Sequence, residues 1–393
     1  MPNPYSAPLP LMRLALNQAS EHSGAAALSG YTEILTDLAE PVLDNAARFA
    51  GEVLSPLNPV GDRTPSRREA QGVVTPPGFV DAYRRFREDG WVSLGAPAEY
   101  GGQGLPTLLA AAVTEMWGGA NLAFGMCPEL TLGALEALQV HGSAELIGKY
   151  ASRLASGEWT SAMCLTEPQA GSDLALIRTR AVPQGGDLAV DEFRLFGQKI
   201  FITWGEHDLT DNIIHLVLAK LPNAPPGVRG ISLFVVPKFL VDDDTGVKTR
   251  NSLACGSIEH KMGIKASSTC VMNFDGATGW LCGEPHKGLK AMFTMMNTAR
   301  LGVGIQGLGL AETAYQSARL YATDRLQGRA LKGAKYPERP ADPLLVHPDV
   351  RRMLLTVRSY VEGGRALAAW IGKEIDVSHK HPRSEERRVG KEC

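Results

Sequence analysis

The sequence predicts an α+β fold in which helical segments flank a β-rich middle segment. Apolar residues repeat at three- and four-residue steps from Tyr31 to about residue 155. Short β-branched and aromatic runs, separated by turn residues, follow from Trp159 to Phe274. Helical periodicity returns near Lys287. Because helices and strands are grouped along the chain, separate helical and β segments are predicted, and not a βαβ wind.

The N-terminal helical domain is predicted to span residues 1–158. Its first part, Met1 to Gly30, has a mixed composition and is expected to wrap over another surface. A long helix is predicted from Tyr31 and is expected to end at Pro56 and Pro59. Further helices are predicted at 78–90, 105–118, 130–140 and 144–155.

The middle domain, residues 159–284, is predicted to be an antiparallel β-barrel or sandwich. Its expected strands are 159–165, 177–182, 188–195, 200–203, 213–219, 231–236 and 269–274. An incomplete C-terminal helical domain is predicted at 285–382, with helices over 289–322 and 349–371.

Residues 383–393 differ from everything before them, because almost every residue there is charged or polar. One interpretation is a solvated polar end. The other is non-native sequence of the adapter or vector type, in which case the natural chain would be cut near Pro382 and the protein would be a fragment.

Length and composition exclude several classes of protein. A chain of 393 residues allows two or three domains, and its formal net charge of −2 draws it to neither nucleic acid nor membrane surfaces. The six cysteines show no CxxC spacing, so reduced thiols in a cytoplasm are expected and neither a zinc site nor a disulfide framework is. We find neither a secretory signal nor an apolar run of about 18 residues, so no membrane span is expected.

Two short motifs carry the strongest chemical signal. In Ala162 to Asp173, hydroxyls stand on either side of a Pro/Gly turn, which can aim several backbone N–H groups at a phosphate or a carbonyl. Gln198 to Thr203 is a β-branched and aromatic run that ends in a hydroxyl. Together the two motifs could line one flat polar ligand. The alternative is two β-turns in a β-rich domain.

Other motifs have plainer explanations. Gly302 to Gly307 matches G-x-G-x-x-G, but a helical segment precedes it, so close helix packing is favoured over a dinucleotide loop. Glu206-His207-Asp208 lacks a second histidine at partner spacing, which favours a hydrogen-bonded loop histidine and no metal site. Arg300 and Arg325 are either surface cations or bidentate phosphate ligands, and the residues alone favour the surface interpretation.

In combination and in this order, four runs resemble the flavin-binding signatures of the acyl-CoA dehydrogenase family. They are Thr166 to Asp173, Phe201 to Thr203, Lys261 to Ser268 and Tyr321 to Arg329. The resemblance extends from about Tyr31 to Arg365. It implies FAD as cofactor and dehydrogenation across Cα–Cβ of an acyl-CoA thioester, with proton removal by a glutamate, hydride transfer to flavin N5, and electrons passed to an electron-transfer flavoprotein.

The resemblance also implies roles for particular residues of the two motifs. Leu165 and Thr166 would lie on the pyrimidine side of the flavin, and Ser172 would lie near the cofactor phosphates and the pantetheine path. Phe201 stands where many members have tryptophan, so it keeps a wall against the ring without an indole N–H. Thr203 would bond flavin N5.

Beyond the barrel, Arg300 matches an arginine near the CoA nucleotide. Arg325 matches one that reaches FAD phosphate, often across a subunit boundary, which implies a homodimer. Some members hold the base glutamate just before Arg300, but Ala299 occupies that position here. Others hold it in a later helical segment, so no catalytic residue is assigned and the glutamate is expected beyond the C-terminus.

Three further runs indicate which branch of the family the chain resembles: Leu11 to Leu16, Phe201 to Asp208, and His347 to Met353. They resemble the longer members, which include methylmercaptopropionyl-CoA dehydrogenase and differ in substrate, so the acyl group is not fixed. Two alternatives remain open. One is an acyl-CoA oxidase that uses oxygen, and the other is a non-catalytic helical scaffold or interaction protein.

Overall fold

The computed structural model describes residues 5–21, 28, 31–185, 192–242 and 245–380. The predicted tail at 383–393 lies outside these residues, as does the first part of the predicted strand at 188–195. The chain divides into two compact units. Unit 1 comprises Met1–Pro59, Leu105–Leu122 and Leu301–Cys393, and unit 2 comprises Val60–Gly104 and Ala123–Arg300.

Helices dominate the two ends of the described chain. They are α1 (Leu9–Ser20), α2 (Tyr31–Asp37), α3 (Ala39–Phe49), α4 (Ser55–Arg63), α5 (Phe79–Glu88), α6 (Thr107–His141), α7 (Ala144–Ala155), α8 (Gly288–Asp324) and α9 (Pro348–Lys380). Helix α1 was not predicted, although Met12 and Leu16 are buried one turn apart as an amphipathic helix requires. The expectation that this segment lies over another surface agrees with the structure, because α1 packs against α3 and α9 within unit 1.

The prediction that Pro56 and Pro59 end the helix that begins at Tyr31 is wrong. A π-helical turn, Ala50–Leu54, follows α3 and leads directly into α4. Pro56 is the second residue of α4, and Pro59 lies inside the same helix. The wider π turn changes the hydrogen-bond register just before the two prolines.

The two helices predicted at 105–118 and 130–140 form one element, α6. Asn121 interrupts it with a non-helical backbone (φ −159°, ψ 86°). The buried Asn121 Nδ2 donates to Leu54 O at 3.3 Å, within unit 1. The Asn121 side chain is therefore hydrogen-bonded at the point where the helix is interrupted, and the backbone is helical again after it. The G-x-G-x-x-G run lies wholly inside α8, so it forms no phosphate-binding loop.

The main sheet of unit 2 forms a closed barrel. Its strands are β3 (Thr160–Cys164), β4 (Arg180–Pro183), β5 (Glu192–Thr203), β6 (Ile213–Lys220), β7 (Ile231–Pro237), β10 (Leu253–Ile258) and β11 (Thr269–Cys282). Two small antiparallel hairpins are separate from it: β1 (Arg67–Glu69) pairs with β2 (Gly72–Val74), and β8 (Phe239–Val241) pairs with β9 (Lys248–Arg250). Strands β11, β5, β4, β6 and β7 pair in a ring, because β7 joins both β11 and β6. Most pairings are antiparallel, while β3 and β4 run parallel to β6.

The predicted fold class is confirmed: along the chain, helices come first, the strands of a β-barrel follow, and helices come again after them. The two strands predicted at 188–195 and 200–203 are one strand, β5. The domain boundaries at residues 158 and 284 stay a prediction. Of the helices within the described ranges, none is both long and apolar enough to cross a bilayer.

Candidate functional site

The two sequence motifs meet at the edge of the barrel in unit 2. Strand β3 ends at Cys164, and Leu165 and Thr166 continue its direction. The N–H of Ile200, in β5, donates to Thr166 O at 2.9 Å. The end of one motif is thereby fixed against the middle of the other.

A β-bulge in β5 decides which side chains leave the barrel. Before it, Phe193 and Leu195 are buried at alternate positions, and after it Ile202 is buried. Register with β11 shifts between Lys199 and Ile202, so two residues of β5 oppose one residue of β11. The side-chain alternation is reversed, and the neighbours of Ile202 on either side turn away from the barrel interior.

Phe201 is the bulged residue with an unusual backbone. Its φ is +59°, in the left-handed region that a bulky side chain rarely adopts, and its side chain is 58% exposed. Such a conformation costs roughly 1–2 kcal/mol. Backbone strain of this kind is commonly found at functional sites. Here the strained conformation places the Phe201 ring at the barrel surface, two residues before half-buried Thr203.

Several hydrogen-bonding groups at this edge have no protein partner. Among the described residues, the Thr166 N–H has no acceptor, and the hydroxyls of Thr166 and Thr203 make no side-chain hydrogen bond. Both threonines are half-buried. The edge therefore offers one amide and two hydroxyls to a ligand.

The turn after Thr166 is held by a buried ion pair that sequence reasoning missed. Lys199 Nζ donates to Glu167 Oε1 at 2.8 Å and to Leu165 O at 2.9 Å, and the Lys199 side chain is 0% exposed. Glu167 also accepts from Arg178 N at 2.6 Å and from the Thr179 hydroxyl at 2.6 Å. Lys199 directly precedes the run from Ile200 to Thr203, but nothing in the sequence shows that it binds the carbonyl of Leu165.

The pKa values of both residues of the pair lie below their usual values, for different reasons. Burial lowers the pKa of Lys199, and the Glu167 carboxylate only partly opposes that effect. Burial raises the pKa of Glu167, but Lys199, the Thr179 hydroxyl and the Arg178 N–H outweigh it and hold the pKa below its usual value. The Glu167 carboxyl is thus ionised at neutral pH.

Ser172 lies in an exposed part of the same turn. Glu167 and Ala170 exchange backbone hydrogen bonds of 2.8 and 3.0 Å, and Asp173 Oδ1 accepts from Ala175 N at 2.9 Å. The Asp173 side chain begins a 3-10 turn, and Ser172 is placed at the surface just before it.

Arg300 is exposed on α8 and does not stand at a helix end. Its Nη1 donates to Asn297 Oδ1 at 2.6 Å, and its guanidinium lies 5.4 Å from the Phe293 ring centroid. These contacts extend the side chain along the helix surface. Ala299, beside it, is half-buried.

Arg325 belongs to unit 1, where it is the first residue after α8. Its N–H donates to Tyr321 O at 2.8 Å, its C=O accepts from Leu344 N at 2.9 Å, and its side chain is exposed. The segment that follows is braced by buried Asp342. Although burial raises the pKa of Asp342, backbone N–H donors and Arg329 outweigh it and lower the pKa to about 2.

The Glu206-His207-Asp208 motif forms a hydrogen-bonded loop of unit 2. His207 is buried, and its Nε2 lies 2.9 Å from the Thr160 hydroxyl. Glu206 pairs with Lys238 at 2.5 Å and with Arg250 at 3.0 Å. Burial and the Lys238 charge lower the pKa of His207, so the imidazole is neutral.

The donor groups of the barrel edge are of the kind that an isoalloxazine ring can accept from. The pyrimidine side of that ring carries carbonyl oxygens and ring nitrogens to which the amide and hydroxyl of Thr166 could donate, and N5 of the central ring could accept from the Thr203 hydroxyl. The exposed Phe201 ring supplies an aromatic wall for a planar partner. Five sequence-predicted residues, Leu165, Thr166, Ser172, Phe201 and Thr203, lie in this part of unit 2.

Two domain models of one protein family match the chain. Residues 36–158 match the acyl-CoA dehydrogenase N-terminal domain, and residues 162–277 match the acyl-CoA dehydrogenase middle domain. The chain is 48% identical over 378 residues to the 3-methylmercaptopropionyl-CoA dehydrogenase of Ruegeria pomeroyi, which covers 96% of this chain and 63% of that protein. The chain thus spans less than two thirds of that relative's length.

Two solved structures are similar in fold. An acyl-CoA dehydrogenase from Bacillus anthracis, complexed with FAD, matches with a TM-score of 0.69 and 25% identity over 90% of this chain and 54% of that one. The butyryl-CoA dehydrogenase of Megasphaera elsdenii matches with a TM-score of 0.66 and 22% identity over 90% of this chain and 88% of that one. From the two domain matches and the sequence identity, the chain belongs to the acyl-CoA dehydrogenase family.

Proposed function

We propose that this protein is an FAD-dependent acyl-CoA dehydrogenase, which oxidises the Cα–Cβ bond of an acyl-CoA thioester. One observation carries the proposal. The barrel edge of unit 2 carries one amide and two hydroxyls that have no partner among the residues that the structure describes, together with an exposed aromatic ring. Family membership supports a flavin as the ligand of that edge.

Each residue of the edge has a proposed role. The amide and hydroxyl of Thr166 donate to the pyrimidine side of the ring, next to Leu165, and the Thr203 hydroxyl meets N5. Phe201 covers one face of the ring and limits access of water. When bound, FAD supplies the two-electron acceptor that no side chain can provide.

The remaining residues are proposed to bind phosphates and the thioester. Ser172, at the surface of the turn, lies on the path of the cofactor phosphates and the pantetheine. The exposed guanidinium of Arg300 binds the CoA nucleotide, and that of Arg325 binds an FAD phosphate of a second copy in a homodimer. We assign the α-proton acceptor to none of the described residues, since position 299 is alanine.

We further propose that the protein acts in the cytoplasm and passes electrons to an electron-transfer flavoprotein. A visible spectrum of the purified chain, with and without added FAD, tests the cofactor assignment. Flavin bands that sharpen or shift on binding are expected. A colourless protein that leaves the FAD spectrum unchanged would refute it and favour a non-catalytic scaffold.

The electron acceptor needs a separate measurement. The flavin-loaded protein is mixed with acyl-CoA thioesters of different chain length in the presence of oxygen, and peroxide is measured alongside reduction of an artificial dye. Dye reduction without peroxide is expected of a dehydrogenase. Stoichiometric peroxide release would identify an oxidase.

A further inference from the structure

We propose that Lys199 is a positioning residue, which strengthens the Thr166 N–H as a donor to the flavin by binding the carbonyl of the same peptide unit. This inference rests on the proposed function and deepens it. The Lys199 ammonium donates to Leu165 O at 2.9 Å, and Leu165 O and the Thr166 N–H belong to one planar amide.

The chemistry of the amide connects the two ends of that unit. A cation on the carbonyl oxygen draws electron density from the nitrogen, so the N–H becomes a better donor, as in chains of hydrogen bonds that polarise one another. Hydrogen bonds with an ionised partner are about twice as strong as neutral ones. The site is also shielded from water, because the Lys199 side chain is fully buried.

The Thr166 N–H is available to a ligand. Among the residues that the structure describes, it has no acceptor, while its peptide neighbours on both sides are hydrogen-bonded: Leu165 O to Lys199 and Thr166 O to Ile200. A polarised amide without an acceptor, at the edge of a site for a ring rich in acceptors, is a preorganised electrostatic element.

Glu167 keeps this arrangement neutral overall. Its Oε1 binds the ammonium at 2.8 Å, and its Oε2 accepts from Arg178 N and from Gln169 Nε2, each at 2.6 Å. A lysine buried without such a partner would lose its proton. The pair thereby maintains a cation behind the flavin edge without leaving a net buried charge.

A purely structural role is the competing explanation, because the same contacts clamp the turn at 167–179. The double variant Lys199→Met/Glu167→Gln separates the two, since it removes the cation and leaves no unpaired buried charge. Lys220→Met is the matched control. Lys220 Nζ also donates to a carbonyl of this turn, Ala175 O at 2.8 Å, which is remote from the Thr166 amide.

The experiment measures FAD affinity and the midpoint potential of bound FAD for the full chain and its variants, after thermal unfolding shows that each is folded. The double variant is expected to bind oxidised FAD about tenfold more weakly. The midpoint potential of bound FAD is expected to fall by about 30 mV, which for a two-electron couple corresponds to a further tenfold loss of affinity for reduced FAD relative to oxidised FAD. Lys220→Met should stay within about twofold of wild type. A folded double variant with wild-type affinity and potential would overturn the proposal.

A second variant covers the case in which the double variant does not fold. Glu167→Gln removes the carboxylate that keeps Lys199 protonated, so at pH 8 the lysine should lose its charge and the midpoint potential of bound FAD should fall, as in the double variant. A positive shift, or none, would contradict the polarisation of the amide. A wild-type chain that fails to bind FAD would instead refute the proposed function itself.

Discussion

Replacing Arg365 by methionine should reduce the free energy of unfolding by about 3–5 kcal/mol at pH 8, the cost of leaving a buried charge without its partner. In unit 1, Arg365 Nη2 donates to Glu115 Oε1 at 2.6 Å and to Glu312 Oε2 at 2.8 Å. Its Nε contacts both oxygens of Glu115 at 3.1 and 3.0 Å. All three side chains are buried, so methionine would leave two carboxylates without a cation.

The cost should depend on pH with a definite sign. Burial raises the pKa of Glu115, and Arg365 opposes that rise in the wild type. In the variant the opposition is gone, so the folded state binds a proton more readily than the unfolded state. Between the two pKa values, the free energy of unfolding then falls as pH rises. The variant should therefore be closer to wild type at pH 5 than at pH 8.

Urea denaturation followed by circular dichroism at pH 5 and pH 8 measures both effects. Arg358→Met is the control, because Arg358 forms an exposed pair with Glu362 at 2.5 Å one turn along the same helix. Such an exposed pair contributes about 0.3–0.5 kcal/mol. If Arg365→Met costs no more than Arg358→Met at pH 8, the buried network does not stabilise unit 1 as described.

Three further predictions concern backbone and charge. A Cβ at Gly309 would lie 2.6 Å from Gly119 N, so Gly309→Ala should lower the free energy of unfolding by about 1–3 kcal/mol in urea denaturation. A Cβ at Gly307 would meet no heavy atom within 4 Å, so Gly307→Ala should raise the free energy of unfolding by up to about 1 kcal/mol. Equal effects of the two substitutions would contradict close packing at Gly309. Asp342 has its pKa lowered to about 2, so its contribution is present above about pH 4 and lost as pH falls to 2. Asp342→Asn should flatten the acid-unfolding curve in that window, and an unchanged curve would refute the shift. Phe201→Gly should raise the thermal stability of the flavin-free protein by relieving a left-handed φ of +59°, worth about 1 kcal/mol, while it weakens FAD binding; a less stable flavin-free variant would contradict the strain.

The sequence predicted much of the fold where apolar residues recur in one regular pattern and turn residues mark both ends of the element. Helix α7 matches the predicted 144–155, and α5 lies within the predicted 78–90. Strands β6 and β7 were found because their residues are almost all apolar and buried. Short exposed strands such as β1 and β9 have no such pattern, so nothing in the local sequence identified them.

The parts that sequence reasoning missed depend on partners distant in the chain. Local helix propensity gives no sign of the π turn at Ala50–Leu54 or of the Asn121 interruption, and Asn121 is hydrogen-bonded to Leu54, 67 residues away in the chain. At the site, the hydroxyl positions could be predicted from the motifs. The role of Lys199 could not, because its contact with Leu165 exists only once β3 and β5 lie side by side.

The central claim is that the barrel edge at Thr166 and Thr203 binds the flavin ring. The most direct measurement is the FAD dissociation constant of Thr203→Val beside that of Thr249→Val, an exposed strand threonine in β9. Loss of one ligand hydrogen bond should weaken binding by roughly fivefold to tenfold in Thr203→Val and leave Thr249→Val unchanged. Equal FAD affinity for both variants and wild type would contradict the claim.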